Sequence, residues 1–152
     1  MMRIGTTDVT AATSLTWVEI AAGSGGPGTG GLDLTITAVA GDVIDVYFGG
    51  VFGLTGTSPG ANMDLLSVNS GARISGSANG ISSWMTRAAA NNGVSLWYTY
   101  TVVAADLAGG QIKLRPYART LFSGAETFLI YGSSYPNYFF FARNITAMIS
   151  GT

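Results

Sequence analysis

An all-β, antiparallel, jelly-roll-like β-sandwich of about eight or nine strands is the fold class this sequence predicts, a strand number typical of two-sheet sandwiches. Three observations carry the prediction. β-Branched and aromatic residues alternate with polar ones at period two along most of the chain. Clusters of Gly, Asn, Ser and Pro separate these runs, as turns require. Helix signals are nearly absent, and no heptad, collagen-like triplet, internal repeat or shift of composition divides the chain. The 152 residues therefore read as a single β domain, 1–152, with residues 1–12 a flexible N-terminal segment.

Leu15 to Ala22 is the first predicted strand, closed by the glycine-rich run Gly23 to Gly31, which reads as a mobile loop. In Leu32 to Val39, the side chains of Leu32, Leu34 and Ile36 share one face, while Asp33, Thr35 and Thr37 take the other. Ala40-Gly41-Asp42 is a turn, with the Asp42 carboxylate suited to bonding nearby amides. The apolar run Val43 to Phe48 around Asp45 reads as a strand covered on most of both faces. Gly49-Gly50 is expected to bend or bulge it before Val51-Phe52. Further strands are predicted at Met63 to Val68, Ile81 to Thr86, Val94 to Ala104, Gln111 to Arg119, Thr127 to Tyr131 and Tyr138 to Ile149. Ala88-Ala89-Ala90 has the composition of a helical turn.

Charged residues make up only 10% of the chain, against a usual share of about a quarter. A surface covered by Thr, Ser, Asn and 22 Gly suits packing between subunits better than life as a soluble monomer, so a homotrimer or similar closed oligomer is expected. The net charge of −1 gives no electrostatic footprint for nucleic acid or anionic lipid, and neither is an expected partner. With no cysteine and no histidine, the chain has no disulfides, no thiolate nucleophile, no zinc site of the usual kind and no His-based proton relay. No apolar run of signal-peptide length opens the chain, which predicts no export by that route. The uncharged stretch from Ala88 to Ala105 is interrupted by Asn91, Asn92 and Gly93, and it reads as a strand rather than a membrane span.

The candidate motifs are few. Gly23, Gly25 and Gly28 have dinucleotide-loop spacing, but a strand follows where that site needs a helix. Asp42 and Asp45 point to opposite faces of a strand and make poor joint metal ligands. Asp33 and Asp64 have the oxygen chemistry for calcium, yet no dedicated loop surrounds them, and solvated turn carboxylates are the expectation. Glu19 and Glu126 lie in or beside strands, where a cross-strand partner or solvent accounts for them. No pair of carboxylates is signalled as facing one cleft. No catalytic residue, cofactor or metal is therefore assigned, and the chain is expected not to be an enzyme.

The most distinctive charge feature is Lys113, Arg115, Tyr117 and Arg119, alternating with Ile112, Leu114, Pro116 and Ala118 on one strand. This stripe is either a solvated strand face or a partner-binding face that meets acids such as Asp42, Asp45 or Glu126 of a neighbouring subunit, or an acidic surface of another partner. Pro116 suits an edge or a bulge. Most aromatics of the Trp97-Tyr98-Tyr100 and Tyr131 to Phe141 clusters are expected in the core. Tyr135, mid-loop in Gly132 to Asn137, is the exception and a second partner-binding candidate: it stacks on a sugar, anchors in a partner pocket, or packs on its own sheet. Asn144-Ile145-Thr146 matches a glycosylation acceptor, a pattern common by chance.

The stretch Leu34-Thr35-Ile36-Thr37-Ala38-Val39-Ala40-Gly41-Asp42-Val43-Ile44-Asp45-Val46 resembles a segment that recurs in small β-domain structural proteins of tailed phages. Val103-Ala104-Ala105-Asp106-Leu107-Ala108-Gly109-Gly110-Gln111-Ile112-Lys113-Leu114-Arg115-Pro116 and the later Phe141-Ala142-Arg143-Asn144-Ile145 resemble two more. The resemblance implies a jelly roll related to the tumour-necrosis-factor-like fold, commonly a homotrimer, placed on capsids as decoration or cement, or on tails as adhesin heads. No catalytic residues come with it. The function expected is thus a virion structural protein, assembled in the host cytoplasm, that stabilises the shell by contacting the major capsid protein or other virion proteins. The alternative is a tail-fibre or receptor-binding module, with a glycan as its ligand.

Overall fold

A computed structural model describes residues 2–5, 9–12, 16–20, 32–55, 60–85, 90–121, 127–131 and 138–151. The chain forms two antiparallel sheets packed face to face, the all-β sandwich its period-two patterning predicts. Each of the nine runs identified above contains a strand. They are β3 (Val18–Glu19), β4 (Leu34–Thr37), β5 (Val43–Thr55), β6 (Gly60–Ser67), β7 (Ser82–Met85), β8 (Ala90–Thr101), β10 (Gln111–Thr120), β11 (Thr127–Tyr131) and β12 (Tyr138–Asn144). Three short strands add to these: β1 (Met2–Gly5), β2 (Val9–Ala12) and β9 (Leu107–Ala108).

In the first sheet β5 is central, with β8 along one side and, on the other, β12 beside its first half and β11 beside its second. β1 then pairs with β12, and β2 with β11. In the second sheet β10 is central, with β6 and the hairpin strand β9 on one side, β4 and β3 on the other, and β7 outside β6. The chain crosses repeatedly between the sheets, from β4 to β5, from β5 to β6, from β7 to β8 and from β8 to β9, so most neighbours in a sheet are distant in sequence.

The inward faces follow the alternation. Ile44, Val46 and Phe48 of β5, Leu96 of β8 and Phe140 and Ala142 of β12 meet Leu34, Ala61, Met63, Leu65, Ile112, Leu114 and Ala118 of the second sheet, all of them buried. Phe48 and Phe140 meet edge to face, 5.8 Å between ring centroids.

Several expectations are corrected. Gly49-Gly50 does not bulge β5: its pairing with β8 runs in one register from Val43↔Thr101 to Leu54↔Ala90. The glycines instead mark the handover from β12 to β11, with Gly49 paired to Phe139 and Val51 to Tyr131. A Cβ at Gly49 would lie 2.7 Å from the Tyr47 hydroxyl, so glycine is there because the tyrosine ring covers it. The last predicted strand ends at Asn144, and Ile145–Ser150 is a helix, α1. Asn144 caps it by accepting a bond from the Ala147 amide (3.0 Å), and Gly151 ends it in the left-handed region at φ 71°. Within residues 1–12, read as a flexible segment, Met2–Gly5 and Val9–Ala12 are paired strands. Each has too few apolar residues to register as an alternation.

Pro116 lies in the central strand of its sheet, not at an edge. Its carbonyl accepts from the Ile20 amide (2.9 Å) in the gap between β4, which pairs up to Leu114, and β3, which pairs from Tyr117. A residue's N–H and C=O point to the same side of a strand, so the missing N–H faces a break in the ladder. The glycine-rich run Gly23 to Gly31, the loop Gly132 to Asn137 with Tyr135, Glu126, and Ala88 and Ala89 lie outside the described residues, while Ala90 begins β8.

Candidate binding surfaces

β10 alternates as its sequence requires: Ile112, Leu114, Pro116, Ala118 and Thr120 are buried, and Lys113, Arg115, Tyr117 and Arg119 lie half-buried on the outer face. Two of the three cations bond within the chain. Arg115 donates through Nε and Nη2 to the two carboxylate oxygens of Asp33, at 2.6 and 2.8 Å, and through Nη1 to Glu19 at 3.3 Å. This paired geometry with Asp33 holds the guanidinium charged well above the ordinary arginine range, against the opposing effect of burial. Arg119 donates to the Ala78 carbonyl at 3.0 Å, and its guanidinium lies 5.1 Å from the Trp17 ring centre, with Arg73 at 4.5 Å from the same ring.

Asp33 and Asp64 do not come together. Asp33 belongs to Arg115, whereas Asp64 lies within β6, fully buried, and accepts from Arg73 at 2.9 Å and from Ser75. The expectation of a solvated turn carboxylate fails at Asp64 because the segment after β6 folds back over it. Asp42 is the turn residue expected: it accepts from the Val39 amide at 2.9 Å, with Gly41 at φ 95°, and also from Asn144 at 2.6 Å. Asp106 accepts from Tyr100 (2.6 Å), Ser70 (2.9 Å) and the Val103 amide (3.1 Å). Burial alone would raise its pKa, but these bonds outweigh that and hold it below the ordinary carboxylate value. Burial, helped by Asp106, moves the Tyr100 hydroxyl the other way.

The outer face of the first sheet carries a feature that sequence reasoning missed. Trp97, Tyr47 and Phe141 stand directly opposite one another on β8, β5 and β12. Tyr47 stacks on Phe141 at 5.4 Å with 22° between planes, and Trp97 meets Tyr47 and Phe141 edge to face at 5.8 and 6.3 Å. One row along, Thr99, Asp45 and Arg143 are likewise opposite. Asp45 accepts from Thr99 at 2.8 Å and from Arg143 at 3.0 Å, and Arg143 reaches to 5.8 Å from the Trp97 ring centre. Trp97 remains 54% exposed, against an expectation that these aromatics are mostly core. A signal was present: Arg143 is two residues from Phe141 and Asp45 two from Tyr47, so a charge marks the outward parity on both strands.

An open cavity of about 370 Å³ lies where α1 meets the β4–β5 turn, lined by residues that include Val39, Asp42, Asn144, Thr146 and Ala147. Beside it Val39, Met148 and Ile149 are exposed. Among the described residues no group of three or more Asp, Glu, His or Cys could hold a metal ion, and no helix is long and apolar enough to cross a membrane. The class defined by these features is an all-β sandwich with an aromatic outer face. The sequence matches no protein-family model and no curated protein.

Proposed function

We propose that this chain is a non-catalytic structural protein of a tailed-phage particle, a closed homo-oligomer that decorates the capsid and cements neighbouring shell subunits. The observation that carries this reading is the outward aromatic row Trp97–Tyr47–Phe141 on a sandwich whose sequence is only 10% charged. Aromatic side chains on an outer sheet face, led by the exposed Trp97, are what protein interfaces bury at their centres, and the ion pair beside them, Asp45–Arg143, is already matched within the chain. A protein that binds only the assembled shell stabilises it by mass action and needs no turnover.

The second reading, a receptor- or glycan-binding tail module, is favoured by Trp97 standing exposed beside the Asp45–Thr99–Arg143 row, an apolar platform next to oriented polar groups. Particles separated into heads and tails decide between them. The cement reading expects the chain in the head fraction, and shells carrying it should resist heating better than shells without it. Equal shell stability with the chain found at the tail tip gives the receptor reading instead.

A further inference from the structure

β8 is the one long outer strand among those described. It runs for 12 residues, whereas β1, β2, β4 and β7 have 4 each and β3 and β9 have 2. One side of it pairs with β5 in an unbroken register, and among the described residues no strand pairs with the other. A free edge is a row of unpaired N–H and C=O groups that adds further strands. Proteins that stay monomeric blunt such edges with shortness, charge, proline or a bulge. β8 has none of these devices: Ala90-Asn91-Asn92-Gly93-Val94-Ser95-Leu96-Trp97-Tyr98-Thr99-Tyr100-Thr101 contains no charge and no proline, and its register does not shift.

We propose that the edge of β8 left unpaired among the described residues pairs antiparallel with β8 of a second copy across a two-fold axis, continuing the first sheet from one subunit into the next. The inference rests on the oligomer reading above and names the contact that makes it. A second copy is the occupant that fits for three reasons. An antiparallel pair of identical strands is self-complementary, so one surface suffices for both partners. With no charge on the strand, two copies meet without like-charge repulsion. Both faces of β8 are also left incomplete at this edge: Trp97 is exposed on the outer face, and Tyr98 and Tyr100 are only half-buried on the core face. A continuing sheet would cover all three.

The test is amide hydrogen exchange on the full chain across a dilution series, with light scattering for mass, on the wild type and on Ser95→Lys. Ser95 is exposed on the outer face of β8, so lysine there adds a charge to the edge without entering the core. Ala105→Lys, exposed and off the strand, is the control. In the associated protein, alternate β8 amides should exchange slowly and lose that protection on dilution. Ser95→Lys should weaken association by about tenfold or more while the control does not, as edge lysines do in natural sheets. An oligomer whose outward β8 amides exchange freely, with Ser95→Lys unchanged in mass, overturns this contact and leaves the oligomer reading standing. So does a trimer, since a two-fold contact gives even numbers, and so does protection that persists in the monomer. A monomer at every concentration overturns both.

Discussion

At the residue scale Arg115 is the most heavily committed side chain on the predicted stripe. Its sequence setting, alternating with Ile112, Leu114 and Pro116, fixes the face on which it lies but not the partner it finds, because Asp33 and Glu19 are distant in sequence. Asp33 arrives through the pairing of Lys113 with Thr35 and Leu114 with Leu34, and Glu19 through the pairing of Tyr117 with Glu19 itself. The carboxylate of Glu19 is almost fully buried, and the Arg115 side chain is 18% exposed. Removing the guanidinium therefore leaves a buried charge without its cation, the costly case for ion pairs. Arg115→Ala should lower the unfolding free energy by about 2–4 kcal/mol, read from urea midpoints. Arg115→Lys should recover only part of that, since an ammonium group cannot make the two-pronged contact with Asp33. A loss no larger than about 0.5 kcal/mol, the scale of an ordinary surface substitution, would mean the network adds no stability and would return Arg115 to a role in contacting partners.

The element that sequence reading left unassigned is residues 69–80, most of the segment between β6 and β7, which folds back along the outer edge of β6. Ser67 bonds the Ala72 carbonyl, Ile74 the Leu65 carbonyl and Ile81 the Met63 carbonyl, at 2.8 Å each. Its tightest point is Gly80, at φ 72°, where a Cβ would run into the Met63 carbonyl oxygen and lie 2.7 Å from Trp17 Cη2. Gly109 has a similar angle, φ 58°, but open space around it. Gly109→Ala should thus cost about 1–2 kcal/mol, the left-handed penalty alone. Gly80→Ala should cost clearly more and release Trp17, seen as a change in tryptophan fluorescence. Equal costs at the two glycines would show that the Trp17 contact can yield freely. What the sequence revealed here follows from periodicity. Strands with clean alternation, such as β4 and β10, were legible, and so was the nearly continuous apolar run that opens β5. The covering segment was not, because its backbone bonds to β6 without an alternation of its own. The short helix after Asn144 was readable from its Asn cap and terminal Gly, but the unbroken aromatic and apolar run Tyr138 to Ala142 leading into it dominated the reading. The outer aromatic row was hidden for a related reason. Tyr47, Trp97 and Phe141 meet only once three strands are set in register, and a single strand shows only that an aromatic and a charge share a parity.

For the whole molecule, few charges are left to drive association. The chain has seven Lys and Arg against eight Asp and Glu, and Arg73, Arg115 and Arg143 are each paired to acids of their own chain. An interface of the kind proposed would therefore be held by apolar area and backbone hydrogen bonds, which salt does not screen, rather than by ion pairs, which it does. Association that favours the folded state also makes stability depend on concentration, since only folded chains bind one another. For a chain of this length these two facts combine into a thermal prediction. Raising protein concentration tenfold should raise the melting midpoint by about 2 °C, the shift that mass action gives when about 0.7 kcal/mol is added per subunit of a dimer. Raising salt about tenfold at fixed concentration should move the midpoint less than that, or upward if the salt is one that strengthens apolar burial. Scanning calorimetry over both series measures the two slopes on one sample. A midpoint that falls steeply with salt while ignoring protein concentration would place screened ion pairs, not apolar contact, at the centre of stability. It would also count against both the closed oligomer and its β8 contact, because neither of these depends on charge.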